Sequence, residues 1–390
     1  MRSRPSRILV AALLTVATPA LAADTVNVCV WGTITGPDAA VNGMSYGTHD
    51  YFQYLNQTRG GIAGYKVNSL LLDGRYKLEE ELKIYRRCVD QENAVVINGW
   101  STGSAKALRE QVAQDGVPFV SETFSSEVVD PVKYPYVFIA GATYEQQMLV
   151  GLRTAKDQGA KTVILMHGDN EYGRGPVTVV RKSGEIEKMG LHLVDTIEFK
   201  YDAQDLTAQL LRVKSKNPDV IYIQSSTPQT LVILRDAAKV GLPPTRFIGN
   251  MYNISPTIPQ QLGPAAEGFR AIQIYASYGA DIPAMKEIQA FKAKNEVAKQ
   301  DVYYMKGWLK GKVIAAAIEH SIKKNGGKLP TDIKAFRKSV RDETEALKGL
   351  DTGGITPPAD FANHQGSTQA RIAEVKKGEY VSLGNWIDAH

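Results

Sequence analysis

Hydroxyl side chains cluster in two turns near residue 100, each directly after a predicted strand. The strands cover residues 94–98 and 117–121, and a helix follows the first turn. The turns read Gly99-Trp100-Ser101-Thr102-Gly103-Ser104 and Glu122-Thr123-Phe124-Ser125-Ser126. Unpaired N–H groups at a helix start attract anions, and neighbouring parallel strands end at the same edge of a sheet. The pattern therefore predicts an anion site, although capping by Ser or Thr would explain either turn alone.

The first turn also matches the G-x-S-x-G pattern that carries the nucleophile of many serine hydrolases. Ser101 would then need an acid and a histidine later in the chain, and Asp351 or Asp360 with His364 has that order. The His-Gly-Gly type of segment that forms an oxyanion hole does not precede the turn. An exported serine hydrolase is therefore an alternative, and we expect the protein not to be an enzyme.

Tyr172 is a candidate in the second half of the chain. It follows a predicted strand at 162–166 and stands where a helix begins, so its ring is expected at the matching sheet edge. Tyrosine combines a flat apolar face with a hydroxyl group, which suits a residue that closes over a ligand. A place in an ordinary surface loop is the alternative interpretation.

Other catalytic and cofactor motifs are absent from the sequence. It contains neither G-x-x-x-x-G-K-[ST] nor a G-x-G-x-x-G after the first predicted strand. The six histidines are scattered singly, and the two cysteines do not form a C-x-x-C pair. We therefore expect no cofactor and no metal.

The N-terminus has the features of a secretory signal peptide. Three arginines precede an apolar run at 8–17, and Ala20-Leu21-Ala22 reads as a cleavage site. We expect cleavage after Ala22 and a periplasmic location. Removing residues 1–22 lowers the net charge from +5 to +2, so the basic character comes mostly from the leader and nucleic acid is not an expected partner.

The two cysteines lie in predicted core elements. Cys29 belongs to an apolar strand at 26–31, and Cys88 lies on a helix with an apolar stripe. Export permits a disulfide, but the sequence alone leaves open whether these two residues are bridged.

Strands and helices alternate along the chain after residue 25. Four strand–helix units precede Gly141-Ala142, a similar series follows it, and two long helices and a C-terminal hairpin complete the pattern. Such alternation predicts right-handed βαβ units with parallel sheets. We therefore expect an α/β protein with two Rossmann-like lobes and a cleft between them.

Several short motifs resemble the type 1 periplasmic binding proteins, in particular the leucine/isoleucine/valine-binding type that serves ABC importers. The resemblance covers nearly all of the chain after the leader. The motifs, in chain order, are Thr35-Gly36-Pro37, Asn56 with Gly60-Gly61-Ile62-Ala63-Gly64, Asp73, Asn98-Gly99, Asp169 with Tyr172-Gly173, Asn217-Pro218-Asp219-Val220, Ala265-Ala266-Glu267-Gly268 and His364-Gln365-Gly366.

The resemblance implies a layout and a site. Lobe I would comprise 23–141 and 275–351, lobe II 142–274 and 352–390, with a multi-strand hinge between them. The expected partner is an ABC permease in the inner membrane, and the expected state is a monomer. The ligand carboxylate would contact Thr102, Gly103, Ser104, Thr123 and Ser125, and Tyr172 would close the cleft. Trp100, Phe124, Met251 and Tyr252 lie around these positions in the sequence, and we expect them to contact the body of the ligand.

Met251 marks a departure from that family. Members that bind amino acids have an acidic residue near this position, which pairs with the ligand ammonium, and an unpaired buried ammonium would be costly. We therefore favour a carboxylate ligand with an apolar or aromatic body; an amino acid stays an alternative, as do amides and polyols. Asp169 or Glu171 could supply the missing charge. A periplasmic sensor subunit is a third functional hypothesis.

Overall fold

The computed structural model describes residues 25–298 and 301–389, so the predicted signal peptide lies outside the described residues. The strands are β1 (Thr25–Gly32), β2 (Lys66–Asp73), β3 (Val96–Gly99), β4 (Phe119–Ser121), β5 (Val137–Phe138), β6 (Thr162–Gly168), β7 (His192–Phe199), β8 (Val220–Gln224), β9 (Phe247–Gly249), β10 (Arg270–Gln273), β11 (Gln369–Lys376) and β12 (Glu379–Asp388). The helices are α1 (Gly43–Arg59), α2 (Leu78–Arg86), α3 (Thr102–Leu108), α4 (Gln111–Gln114), α5 (Tyr144–Asp157), α6 (Glu171–Ser183), α7 (Glu185–Lys188), α8 (Thr207–Lys216), α9 (Thr227–Val240), α10 (Thr257–Leu262), α11 (Pro283–Lys292), α12 (Val302–Lys324) and α13 (Ile333–Glu345).

The strands form two separate sheets. The first has the order β2-β1-β3-β4-β5, and all of its strands are parallel. The second has the order β12-β11-β10-β9-β8-β6-β7, in which β11 pairs antiparallel with both β10 and β12 and the remaining core is parallel. The predicted α/β class with parallel central sheets is thereby confirmed. The boundaries at 141, 274 and 351 stay a prediction.

Helix α12 returns from late in the chain to pack on α1 beside the first sheet. Glycines permit the close approach, because a Cβ atom at Gly47 would lie 2.0 Å from the Tyr304 carbonyl oxygen. The Thr48 hydroxyl, 259 residues before Gly307, donates to the carbonyl of that glycine at 3.0 Å. The core beside the first sheet is therefore built from segments that are far apart in the sequence.

Cys29 and Cys88 form a disulfide bond. Cys29 lies in β1, Cys88 lies in the π-helical turn that extends α2, and both are fully buried. The bond thus ties an interior strand of the first sheet to the helix packed against it. The sequence had left this pairing open.

The described residues lack two features that would point to other functions. No helix within 25–298 and 301–389 is long and apolar enough to cross a membrane. The same residues contain no group of three or more His, Cys, Asp or Glu side chains arranged to hold a metal ion.

Candidate functional site

A cavity lies between the two lobes, at the carboxyl ends of the strands. Its empty space, which includes the part open to solvent, is about 320 Å³. Lobe I and lobe II both contribute to its lining. The lining residues are Asp38, Val41, Tyr76, Trp100, Ser101, Thr102, Glu122, Thr123, Tyr144, Tyr172, Tyr201, Ser226 and Tyr252.

Tyrosine rings form much of the cavity wall. Tyr172 meets Tyr144 edge to face at a centroid distance of 5.1 Å and Tyr252 at 5.7 Å. On another side, Tyr76 and Tyr201 stack nearly parallel at 5.8 Å. The Tyr172 hydroxyl donates to the Ser225 carbonyl. A tyrosine whose hydroxyl is bonded to the protein in this way presents mainly its ring to the cavity. The wall therefore suits an apolar or aromatic body.

Two of the predicted hydroxyl groups meet in the cavity. The Thr102 and Thr123 hydroxyl oxygens are 2.7 Å apart, and both residues line the space. They come from the turns after β3 and β4, as the strand pattern predicted. Helix α3 has only seven residues, so the two hydroxyls, rather than a long helix dipole, are the stronger candidates for contact with an anion.

Two other predicted hydroxyls are directed elsewhere. The Ser104 hydroxyl donates to the Trp100 carbonyl, and the Ser125 hydroxyl accepts the Glu127 N–H at 3.3 Å. Neither serine lines the cavity, and both are fully buried. Each serine therefore stabilises its own turn, in agreement with the alternative that Ser or Thr residues here act as caps.

The remaining candidates divide in the same way. Trp100 and Tyr172 line the cavity, whereas Gly103, Phe124 and Met251 do not. The Phe124 ring packs against Tyr144 at 6.0 Å, and the Met251 N–H donates to the Gln147 side chain at 3.1 Å. The loop after β9 instead contributes the next residue, Tyr252, whose hydroxyl donates to the Glu122 carbonyl at 3.0 Å.

Ser101 does not have the partners of a hydrolase nucleophile. Its hydroxyl donates to Glu81 and accepts the Ser104 N–H at 3.1 Å. His364 lies elsewhere, stacked on Phe138, with Nδ1 2.9 Å from the Val137 carbonyl oxygen. Across the part of the chain that the structure describes, no histidine bonds to Ser101. The serine–histidine pair that the hydrolase hypothesis requires is therefore not formed.

The backbone of Ser101 is strained where it borders the cavity. Its φ of 63° and ψ of 144° lie in a region that residues other than glycine rarely adopt, at a cost on the order of 1–3 kcal/mol. Burial raises the pKa of its partner Glu81 to about 7. This carboxyl group supports the turn from behind and is not part of the cavity lining.

Asp38 is an acidic lining residue that the sequence interpretation missed. It follows the Thr35-Gly36-Pro37 motif, is 4% exposed, and accepts hydrogen bonds from Tyr201 and Ser226 of lobe II. Burial raises its pKa to about 6. The acid after a Gly-Pro turn resembles an ordinary turn residue, so only the tertiary structure identifies it.

A buried charge cluster lies behind the wall. Glu122 lines the cavity, and its Oε2 atom is 2.6 Å from Lys310 Nζ and 3.8 Å from Lys306 Nζ. The Lys306 ammonium also lies 4.4 Å from the Tyr252 ring centre and 4.6 Å from that of Phe124. Burial lowers the pKa of both lysines. One carboxylate thus serves two buried amines.

Direct contacts hold the two lobes together across the cleft. Lys106 Nζ bridges Glu127 of lobe I at 3.0 Å and Glu171 of lobe II at 2.8 Å. Asn170 of lobe II donates to the Tyr76 hydroxyl at 3.3 Å. The described conformation is therefore a closed one.

A sequence profile of the family described as "Periplasmic binding protein" matches residues 25–379. The chain belongs to this family. The predicted family is thereby confirmed, and it is a family of binding proteins rather than enzymes. A curated relative from Pseudomonas aeruginosa, the leucine-, isoleucine-, valine-, threonine-, and alanine-binding protein, is 23% identical over 96% of this chain and 98% of its own.

Solved structures show the same periplasmic binding protein fold. A branched-chain amino acid ABC transporter protein from Thermus thermophilus with bound valine superposes with a TM-score of 0.84, at 23% identity over 94% of this chain and 97% of its own. A solute-binding protein from R. palustris in complex with benzoate gives 0.77, at 19% identity over 94% and 98%.

Asp38→Asn should stabilise the ligand-free protein at pH 7.5. The unfolded chain releases this proton near pH 3.8, whereas the folded protein holds it until about pH 6. Between these values the folded state binds more protons, so the aspartate lowers the free energy of unfolding as the pH rises. We expect the substitution to add about 1–3 kcal/mol at pH 7.5 and nothing below pH 4. Urea denaturation at both pH values measures this, and an equal effect at both would contradict it.

Proposed function

We propose that the protein captures a small carboxylate-bearing ligand with an apolar or aromatic body between its lobes and delivers it to an ABC importer. The observation that carries this proposal is the Thr102–Thr123 hydroxyl pair inside a tyrosine-walled cavity. Hydroxyl groups donate charge-assisted hydrogen bonds to a carboxylate, and the rings cover the rest of the molecule. The periplasm, a permease of the inner membrane as partner and a monomeric state belong to the same proposal.

The ligands named for similar proteins support the carboxylate part. Valine, benzoate and, for a protein from Thermomonospora curvata, a fatty acid are named for neighbours of this fold. These molecules differ in body and in the presence of an amine, but each carries a carboxylate. A shared anion site with a variable wall would account for such a range.

Thr102→Val and Thr123→Val should each weaken binding of the best carboxylate from a thermal-shift screen of amino acids and of aliphatic and aromatic acids. Each change removes a hydrogen bond to a charged group, worth about 1.5–3 kcal/mol, which corresponds to roughly 10- to 150-fold in Kd. Isothermal titration calorimetry on the full chain measures the effect. Thr58→Val is the matched control, because Thr58 is exposed and bonds only within α1.

Two outcomes would contradict the proposal. If no acid in the screen stabilises the protein, the carboxylate class is wrong. If Ser125→Ala weakens binding more than Thr102→Val does, the anion site lies where the sequence placed it, and our assignment to the threonine pair is wrong.

A further inference from the structure

Asp38 is a buried carboxylate without a cationic partner. It is 4% exposed and lines the cavity. Among residues 25–298 and 301–389, no Lys, Arg or His side chain forms an ion pair with it. A buried charge that is neither paired nor fully hydrogen-bonded is costly. Because Asp38 lines the cavity, a bound ligand could supply the cation that the protein does not.

The hydrogen bonds that Asp38 accepts leave part of its capacity unused. Tyr201 has one hydroxyl proton, and its oxygen lies 2.9 Å and 2.8 Å from the two carboxylate oxygens. Ser226 also has one proton, which can go to either Asp38 at 2.8 Å or Gln229 at 2.6 Å. The carboxylate therefore receives at most two protons from these neutral donors, whereas it has about four acceptor positions.

The surrounding surface favours a cation. Tyr76 and Tyr201 stack beside Asp38, and Trp100 lines the same space. Aromatic faces attract cations, and the attraction grows when water is excluded. None of the described lining residues is basic. Two other acids lie nearby. Glu122 forms ion pairs with Lys310 and Lys306, and Glu81 accepts the Ser101 hydroxyl and does not line the cavity, so neither competes with Asp38 for a cation.

The two acids considered from the sequence have other roles. Asp169 accepts the Tyr201 N–H at 3.0 Å, and Glu171 pairs with Lys106 at 2.8 Å. Neither lines the cavity. The absence of an acid at Met251 therefore does not exclude an ammonium ligand, because the acid comes from the opposite lobe.

We infer that Asp38 binds a cationic nitrogen of the ligand, and that this residue decides between amine-bearing acids and simple carboxylic acids. The inference rests on the proposed function, since the carboxylate of the same ligand would bind at Thr102 and Thr123. The ligand class is then a zwitterion with an apolar or aromatic body.

Matched pairs of probes test this on the full chain. We would titrate phenylalanine against 3-phenylpropionate, leucine against 4-methylpentanoate, and valine against 3-methylbutanoate, by calorimetry at pH 7.5. Each pair differs only in the ammonium group. In the pair that binds best, we expect the amino acid to bind at least tenfold more tightly than its deaminated partner. Asp38→Asn should abolish this preference, so that the amino acid and its deaminated partner bind within threefold of each other.

Glu171→Gln is the matched control, because it neutralises an acid of the same cleft that already has a cationic partner, and it should leave the ratio unchanged. If a simple acid binds more tightly than its amino acid, the inference is wrong and the proposed function stands. If none of the six probes binds at millimolar concentration, the proposed function fails and the inference with it. The comparison on the wild-type chain shows whether an ammonium group is preferred, and the Asp38→Asn variant, which we expect to be more stable than the wild type, tests whether Asp38 causes the preference.

Discussion

Glu122→Gln should destabilise the protein by about 3–5 kcal/mol, because it leaves the buried Lys310 amine, the one closest to the carboxylate, without its counter-charge. Glu122, Lys306 and Lys310 are each at most 1% exposed, and the carboxylate lies 2.6 Å from Lys310 Nζ. Glutamine preserves the volume and the hydrogen bond from Asn98, so the loss reports the charge. Urea denaturation of the ligand-free protein measures it.

Lys306→Met provides the contrasting variant. It removes the amine 3.8 Å from the carboxylate and leaves the closer Glu122–Lys310 pair intact. Burial holds the pKa of Lys306 far below its usual range, so little favourable charge interaction is lost. We expect a change of less than about 1 kcal/mol, since replacing a buried ion by an apolar chain of similar volume is often neutral. Equal losses in the two variants would contradict the assignment of the effect to the Glu122–Lys310 charge pair.

Removing the disulfide should have an effect of similar size. The Cys29→Ala/Cys88→Ala double variant releases a cross-link between residues 59 apart in sequence. Loop-closure entropy for that length predicts a loss of about 4 kcal/mol in the free energy of unfolding. Guanidinium denaturation of the purified variant measures the loss, and we expect a lower transition midpoint.

Wild-type protein unfolded in the presence of a reductant is the control for this variant. It retains both sulfur atoms and should lose a similar amount, because only the covalent constraint is removed. A double variant as stable as the oxidised wild type would mean that the unfolded chain is already restricted in this region.

Much of the fold follows from local pattern. The apolar runs that predicted strands at 26–31 and 117–121 lie within or overlap β1 and β4. The two residues of β5 were missed, because so short an apolar segment carries no periodicity. In the C-terminal hairpin, the apolar Val381 of the edge strand β12 is 44% exposed, since alternation in an edge strand does not reveal which face is covered.

The site was less predictable than the fold. Thr102 and Thr123 were found because each closely follows a strand, and the topology of parallel sheets brings such turns together. Ser104 and Ser125 each lie two residues after one of these threonines. At that distance from the strand, their hydroxyls bond to backbone groups instead of reaching the cavity. Asp38 gave no signal, since its importance depends on Tyr201 and Ser226, which lie more than 160 residues away.

The pairing of α1 with α12 also bears on the order of folding. Helix α12 begins at Val302, so the face of α1 that contains Gly47 and Thr48 stays uncovered until most of the chain has been synthesised. Contacts between such distant segments form slowly, because a long loop must close first. Lobe I therefore cannot complete its core early in synthesis. For a protein with a predicted export signal, this delay favours a nascent chain that is still unfolded when it reaches the secretion machinery.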